Sequence, residues 1–343
     1  MSIMLSEIAK QPESLERTLK AEKKHMMRVI GAMRGKDIRL IVLVARGTSD
    51  NAALFARYLL EIRTGIPVSL SAPSVHTIYR SRLNLRNALV VGISQSGEGE
   101  DVNVVLERCM KSGARVIAIT NNSRSSMAAI AQDTFVTRAG KERSVAATKT
   151  YTCQLMLLYM LAEALGGGNF ESLHRIPLFA QATVDLAPGI EAMVERYRFM
   201  DHCVVVGRGL NYATACELAI KLMETCYVMA EPFSSADFLH GPIAMVERDF
   251  PVFLFAPPGK PLAYLRELAG RLRDLNADTL AISSDKNILK QASCRIEVPT
   301  GIPDLYTPIP YIIPGQIFAA KLSEYKGLSP DRPRGLTKVT KTL

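Results

Sequence analysis

Two short stretches carry side chains suited to a phosphorylated substrate. Ser94-Gln95-Ser96-Gly97 begins on the last residue of the apolar run NALVVGIS and leads into a segment with helical spacing. Two hydroxyls, an amide and backbone N–H groups at a helix start suit a phosphate dianion. Gly47-Thr48-Ser49 follows the preceding apolar run and would set a second hydroxyl-bearing loop beside the first. A plain polar turn is the alternative for SQSG. Against it, the position 162 residues further on holds APPG, residues 256–259, which lacks both hydroxyls and two N–H donors.

Acid–base chemistry has other candidates. Lys221 and Glu224 stand three apart on one face of a helical segment, with apolar Ala219, Ile220, Leu222 and Met223 around them. A surface ion pair is the common fate of that spacing. Apolar neighbours would instead bury the pair in part, which suits a carboxylate to proton transfer near neutrality. His240 follows the polar stretch EPFSSADFL and precedes Gly-Pro, so a turn should hold it at a sheet edge; structural and catalytic readings both stand. Lys338 lies in a Pro-, Gly- and Lys-rich tail and is an unremarkable charge by its surroundings.

The elements that must position these residues alternate. Strand 38–44, helix 50–62, strand 66–70, strand 87–94, helix 100–112, strand 115–120, helix 125–131, strand 133–138 and helix 148–165 make one series. Strand 202–206, helix 211–225, strand 251–255, helix 261–274, strands 279–283 and 294–298 and helix 311–325 make another. Strands alternating with helices predict an α/β fold with a doubly wound parallel sheet, here twice. ARGTSDNA at 45–52 and GRGLNYAT at 207–214 each follow a strand and open a helix. Gly209 follows Gly47 by 162 positions, Val298 follows Val136 by 162, and AISSD follows AITNN by 163. Such offsets mark a duplicated unit. Residues 1–35 form a helical arm on the first domain or on a partner subunit. The expected domains are 36–168 and 199–325, joined by a linking helix at 169–198 and closed by an extended tail at 326–343.

Composition narrows the class. At 343 residues the chain is 48% hydrophobic and 22% charged, enough for two cores. No apolar run approaches the ~20 residues that span a bilayer, and no signal pattern opens the chain, so a cytoplasmic protein without membrane contact is expected. None of the six cysteines makes a CxxC or stands at zinc-ligand spacing with a histidine, so no metal site is expected. The net charge of +9 is dispersed and aromatics are 6%, so a solvated basic surface, or attraction for a phosphorylated metabolite, explains the charge as well as nucleic acid does.

Together these residues resemble the sugar isomerase (SIS) domain family, in the tandem form of the isomerase half of glucosamine-6-phosphate synthase. GTS at 47–49, SQSGE at 94–98, VAATK at 145–149, GRG at 207–209, the Lys221/Glu224 helix and HGP at 240–242 fall in family order. RGTSDNAALFARYLLEI, SAPSV, SSADFLHGP and the KVTKTL ending are similar to SIS-type glucosamine-6-phosphate deaminases. With Ser at position 2 and no domain before position 38, a chain without the synthase's glutaminase half is expected.

The resemblance implies two SIS domains in tandem, a homodimer, and an amino-sugar phosphate as the small-molecule partner. No cofactor or metal is implied. It implies a glucosamine-6-phosphate deaminase, releasing ammonia and fructose 6-phosphate; a synthase-type isomerase, a fructosamine-phosphate deglycase and a non-catalytic sugar-phosphate sensor are the alternatives. By the same resemblance Ser94, Gln95 and Ser96 hold the phosphate with Ser49 close by, and Gly47, Thr48, Val145 and Ala147 line the sugar. Glu224 moves the proton between C1 and C2 with support from Lys221. His240 opens the ring, and Lys338 engages the carbonyl or imine carbon. Gly99 stands where the synthase has a threonine and Ala147 where it has a serine. The first copy thus binds and the second carries the acid–base groups.

Overall fold

The computed structural model of the chain describes residues 2–33 and 35–338. Among the described residues, ten strands form two five-stranded, all-parallel sheets. In the first, β1 (Leu40–Val44), β2 (Val68–Leu70), β3 (Ala88–Ser94), β4 (Arg115–Thr120) and β5 (Asp133–Val136) are ordered β2-β1-β3-β4-β5. In the second, β6 (His202–Gly207), β7 (Met229–Ser234), β8 (Pro251–Ala256), β9 (Asp278–Ser283) and β10 (Cys294–Glu297) are ordered β7-β6-β8-β9-β10. The doubly wound α/β expectation therefore holds in both halves.

The strands read as unbroken Val/Ile/Leu runs because both faces are covered. In the first sheet Val42, Val44, Val90, Val116 and Ala118 pack with Val102, Val105, Leu106 and Cys109 of the helix Glu100–Lys111. In the second, Val204, Val206, Val252, Leu254 and Ala281 pack with Leu265, Leu268 and Leu272 of the helix Leu262–Asp274. Each buried face follows the i, i+2 alternation of a strand and the i, i+3 stripe of a helix.

The repeat is visible in the strand register. Val42 pairs with Val90 and Val204 with Val252, an offset of 162 on both strands. Gly47 and Gly209 share an unusual backbone, φ +55°, ψ −134° and φ +59°, ψ −129°, which only glycine adopts without strain. The offset drifts further on. Val136 pairs with Thr120, but it is Glu297, not Val298, that pairs with Ser283.

Several elements differ from expectation. The polar stretch EPFSSADFL, which lies outside both series of expected elements, is regular structure: Met229–Ser234 is β7 and Ser235–Leu239 is a short helix. Residues 169–198 are not one helix but Ile176–Val184 and Ala187–Val194 flanked by 3₁₀ turns; the chain turns at 185–186, and Pro188 sits in the first turn of the second helix, where its missing N–H costs no intrahelical bond. The last helix begins earlier, at Pro308, where proline is tolerated in the first turn. The expected helical character of the amino-terminal arm is not among these differences: it consists of two helices, Ile3–Ala9 and Gln11–Gly31. Described residues beyond Tyr325 form turns and extended chain.

By contact the chain divides into two interleaved units. One, built on the first sheet, comprises Glu13–Glu142, Lys149–Arg175 and the residues from Leu336 onward. The other, built on the second sheet, comprises the residues up to Pro12, Arg143–Thr148 and Ile176–Gly335.

Candidate active site

In the unit of the first sheet, β1 and β3 are neighbours while their connections leave in opposite directions. That is the switch point of a doubly wound sheet, where ligands bind beyond the strand ends. The two hydroxyl-bearing loops, 47–49 and 94–97, both start there. Ser94 Oγ accepts the N–H of Gly97 at 3.1 Å and Ser96 Oγ accepts the N–H of Glu98 at 3.2 Å. Each bond uses an oxygen lone pair and leaves the hydroxyl proton available to donate. The carbonyl of Gln95 accepts from Asn121 N and Thr120 Oγ1, which ties the loop to the end of β4. Gly97, at φ +71°, lies so close to Ser125 that a Cβ would stand 2.2 Å from its Oγ.

Ser49 is buried in the first turn of the helix Thr48–Thr64, and its Oγ accepts from Gln154 Nε2 at 3.0 Å. Gln154 comes from the helix Lys149–Leu165. Burial pushes the carboxyl of nearby Asp50 above its ordinary range, and Arg46 partly opposes this. Arg46 itself pairs with buried Asp101 at 2.6 Å, joining the turn after β1 to the helix after β3. Sequence reasoning missed this positioning role. The signal was the shared ARG/GRG triplet: Arg208, the repeat counterpart of Arg46, sits over the Tyr264 ring at 5.4 Å. The same position thus ties a turn to a following helix in both copies, by an ion pair in one and a cation–π contact in the other.

Lys338 belongs to this unit as well. Its Nζ lies 3.2 Å from Glu142 Oε2. Glu142 is buried and also accepts from Thr150 N at 3.1 Å and Thr150 Oγ1 at 2.5 Å. A lysine that its sequence surroundings left unremarkable is therefore held by a fixed internal carboxylate.

The unit of the second sheet holds the remaining candidates. Lys221 is 0% exposed on the helix Leu210–Cys226. Its Nζ is 2.6 Å from Glu224 Oε2 and 3.5 Å from Glu217 Oε1. Glu217 is equally buried, whereas Glu224 keeps 23% of its side chain exposed. The ammonium fixes the outer carboxylate from behind and leaves that carboxylate reachable. Glu217 was not singled out from sequence, although its i−4 spacing to Lys221 was readable.

His240 is exposed at the C-terminal end of the helix Ser235–Leu239, before Gly241 at φ +136°. Val145 and Ala147 are half-buried in segment 143–148. That segment is clamped on its backbone. Glu7 accepts from Arg143 N at 2.6 Å and from Ser144 N at 3.2 Å, and Val145 N donates to Asp331 O at 3.1 Å. Among the described residues, no cluster of three or more His, Cys, Asp or Glu is arranged to hold a metal ion.

Residues 36–164 and 199–321 match the SIS domain family. The chain belongs to that family. Both SIS matches contain one complete five-stranded sheet. Among relatives, the glutamine–fructose-6-phosphate aminotransferase [isomerizing] of Methanothermobacter thermautotrophicus is 34% identical over 98% of the chain. The chain spans 56% of that protein's length. Among solved structures, the C-terminal domain of glucosamine-fructose-6-phosphate aminotransferase from Francisella tularensis superposes with a TM-score of 0.88 at 27% identity, covering 97% of this chain and 98% of that one. Glucosamine-6-phosphate deaminase from Thermotoga maritima shares the tandem SIS fold, with a TM-score of 0.82 at 22% identity, covering 99% of this chain and all of that one.

Proposed function

We propose that this chain is a SIS-type sugar-phosphate isomerase that interconverts the aldose and ketose forms of a hexosamine or hexose 6-phosphate. The observation that carries the reading is the Lys221–Glu224 pair. A fully buried ammonium 2.6 Å from a partly open carboxylate supplies a positioned base for moving a proton between C1 and C2. Ser94, Ser96 and Ser49 supply hydroxyls for the phosphate, and Gln95 an amide. Val145, Ala147, Gly47 and Thr48 line the sugar, His240 assists ring opening, and Lys338 takes the carbonyl or imine carbon.

Identity of 34% to an isomerizing aminotransferase supports isomerase chemistry of the synthase type over the deaminase expected from the motifs. Deamination is the second reading. It uses the same proton transfer, followed by attack of water on the ketose imine and loss of ammonia; the SSADFLHGP motif favours it.

The test is incubation with fructose 6-phosphate and with glucosamine 6-phosphate in D2O, following deuterium at C1 and C2 by NMR and ammonia separately. Deuterium incorporation without ammonia supports the isomerase, and incorporation with ammonia supports the deaminase. Bound sugar phosphate with no incorporation from either substrate would overturn both and leave a sensor. Glu224→Gln should lower exchange by about 10²–10⁴-fold while retaining phosphate-ester binding.

A further inference from the structure

The unit of the first sheet also carries a cleft of about 810 Å³, lined by the short helix Pro73–Thr77, the loop after it and the end of the helix Glu100–Lys111. Its walls include Arg82, Arg86, Arg108 and Lys111 and, among the described residues, no Asp or Glu. Among the described residues, none of these four cations pairs with a carboxylate. Arg108 instead donates Nη1 to the carbonyl of His76, which fixes its guanidinium in place. His76 lines the same cleft, is 5% exposed, and its imidazole has no hydrogen-bond partner among the described residues. Burial and neighbouring Arg108 hold its pKa below the ordinary range.

Four like charges on one concave surface repel each other and concentrate positive potential there. Guanidinium forks match phosphate oxygens, and a single phosphate would neutralise only part of the charge. Among the described residues, Leu83 is the one aliphatic side chain of the lining, and no Phe, Tyr or Trp contributes. The cleft therefore offers neither a stacking platform for nucleic-acid bases nor a bed for an acyl chain. We propose that this cleft is a second anion site, separate from loop 94–97, for a small metabolite carrying two phosphate groups.

Calorimetric titration of the full chain with inorganic pyrophosphate tests this. Arg82 and Arg86 are exposed, so Arg82→Glu/Arg86→Glu should fold normally, which thermal melting verifies. The double variant should bind pyrophosphate at least tenfold more weakly, and Arg82→Gln/Arg86→Gln should lie between it and the parent. Ser94→Ala/Ser96→Ala should bind pyrophosphate at this site as the parent does, and inorganic phosphate should bind the parent at least tenfold more weakly than pyrophosphate. Unchanged affinity in both arginine variants, loss confined to the serine variant, or no pyrophosphate binding by the parent at millimolar concentration overturns the proposal.

Discussion

At Gly97 one added methyl group is enough to disturb the loop beyond β3. The residue sits at φ +71° and a Cβ would press on Ser125 at 2.2 Å. Gly97→Ala is expected to cost about 2 kcal/mol or more in urea unfolding and to weaken phosphate-ester binding in competition assays. Gly47→Ala meets open space and bears the backbone cost alone. Lys221→Met leaves the buried Glu217 carboxylate without its ammonium, so stability should fall by about 3–5 kcal/mol, again by urea unfolding. Lys221 and Glu224 were legible because helical spacing and apolar neighbours are local features. The Arg46–Asp101 pair and the Glu142–Lys338 contact were not, because nothing near either residue in sequence announces a partner 55 or 196 positions away.

Among elements, buried strands and long helices were legible, while β7 was not. It is an edge strand containing Glu231 and Pro232, two residue types that a central strand rejects and an edge tolerates. The short helix Lys286–Gln291 also escaped notice, although Asp285 caps it by accepting from Ile288 N at 3.1 Å. The Arg266 side chain, bonded to Asp285 at 2.6 Å, holds this carboxyl below its ordinary pKa of 3.8. A lowered folded value means that Asp285 contributes its full stabilisation above the unfolded pKa and loses it as pH falls through the lower folded value. Acid unfolding followed by circular dichroism should therefore show a shallower loss of stability below about pH 4 in Asp285→Asn than in the parent.

For the whole molecule, the duplicated sheets could be read from the sequence but the interleaving of the units could not. Repeats leave a periodic trace, whereas a segment such as 143–148 joins the other unit through backbone bonds to Glu7 and Asp331, which no side-chain pattern records. The described part of the tail is held at several points. Arg334 N donates to Tyr227 Oη at 2.8 Å, and its guanidinium lies 4.5 Å from the Tyr227 ring centroid. Asp331 accepts from Ile3 N at 2.9 Å and Met4 N at 2.7 Å, capping the helix Ile3–Ala9 from 328 residues away. Asp331→Ala should lower the unfolding free energy by about 1 kcal/mol, read as a drop in melting temperature. The bond also sets a schedule. At ~5–20 residues per second, a ribosome needs on the order of tens of seconds between making Met4 and making Asp331. Through that interval Ser2 Oγ still accepts from Leu5 N, but the N–H groups of Ile3 and Met4 lack the Asp331 carboxylate, so a chain stalled or cut before Asp331 keeps two donors that the longer chain has closed.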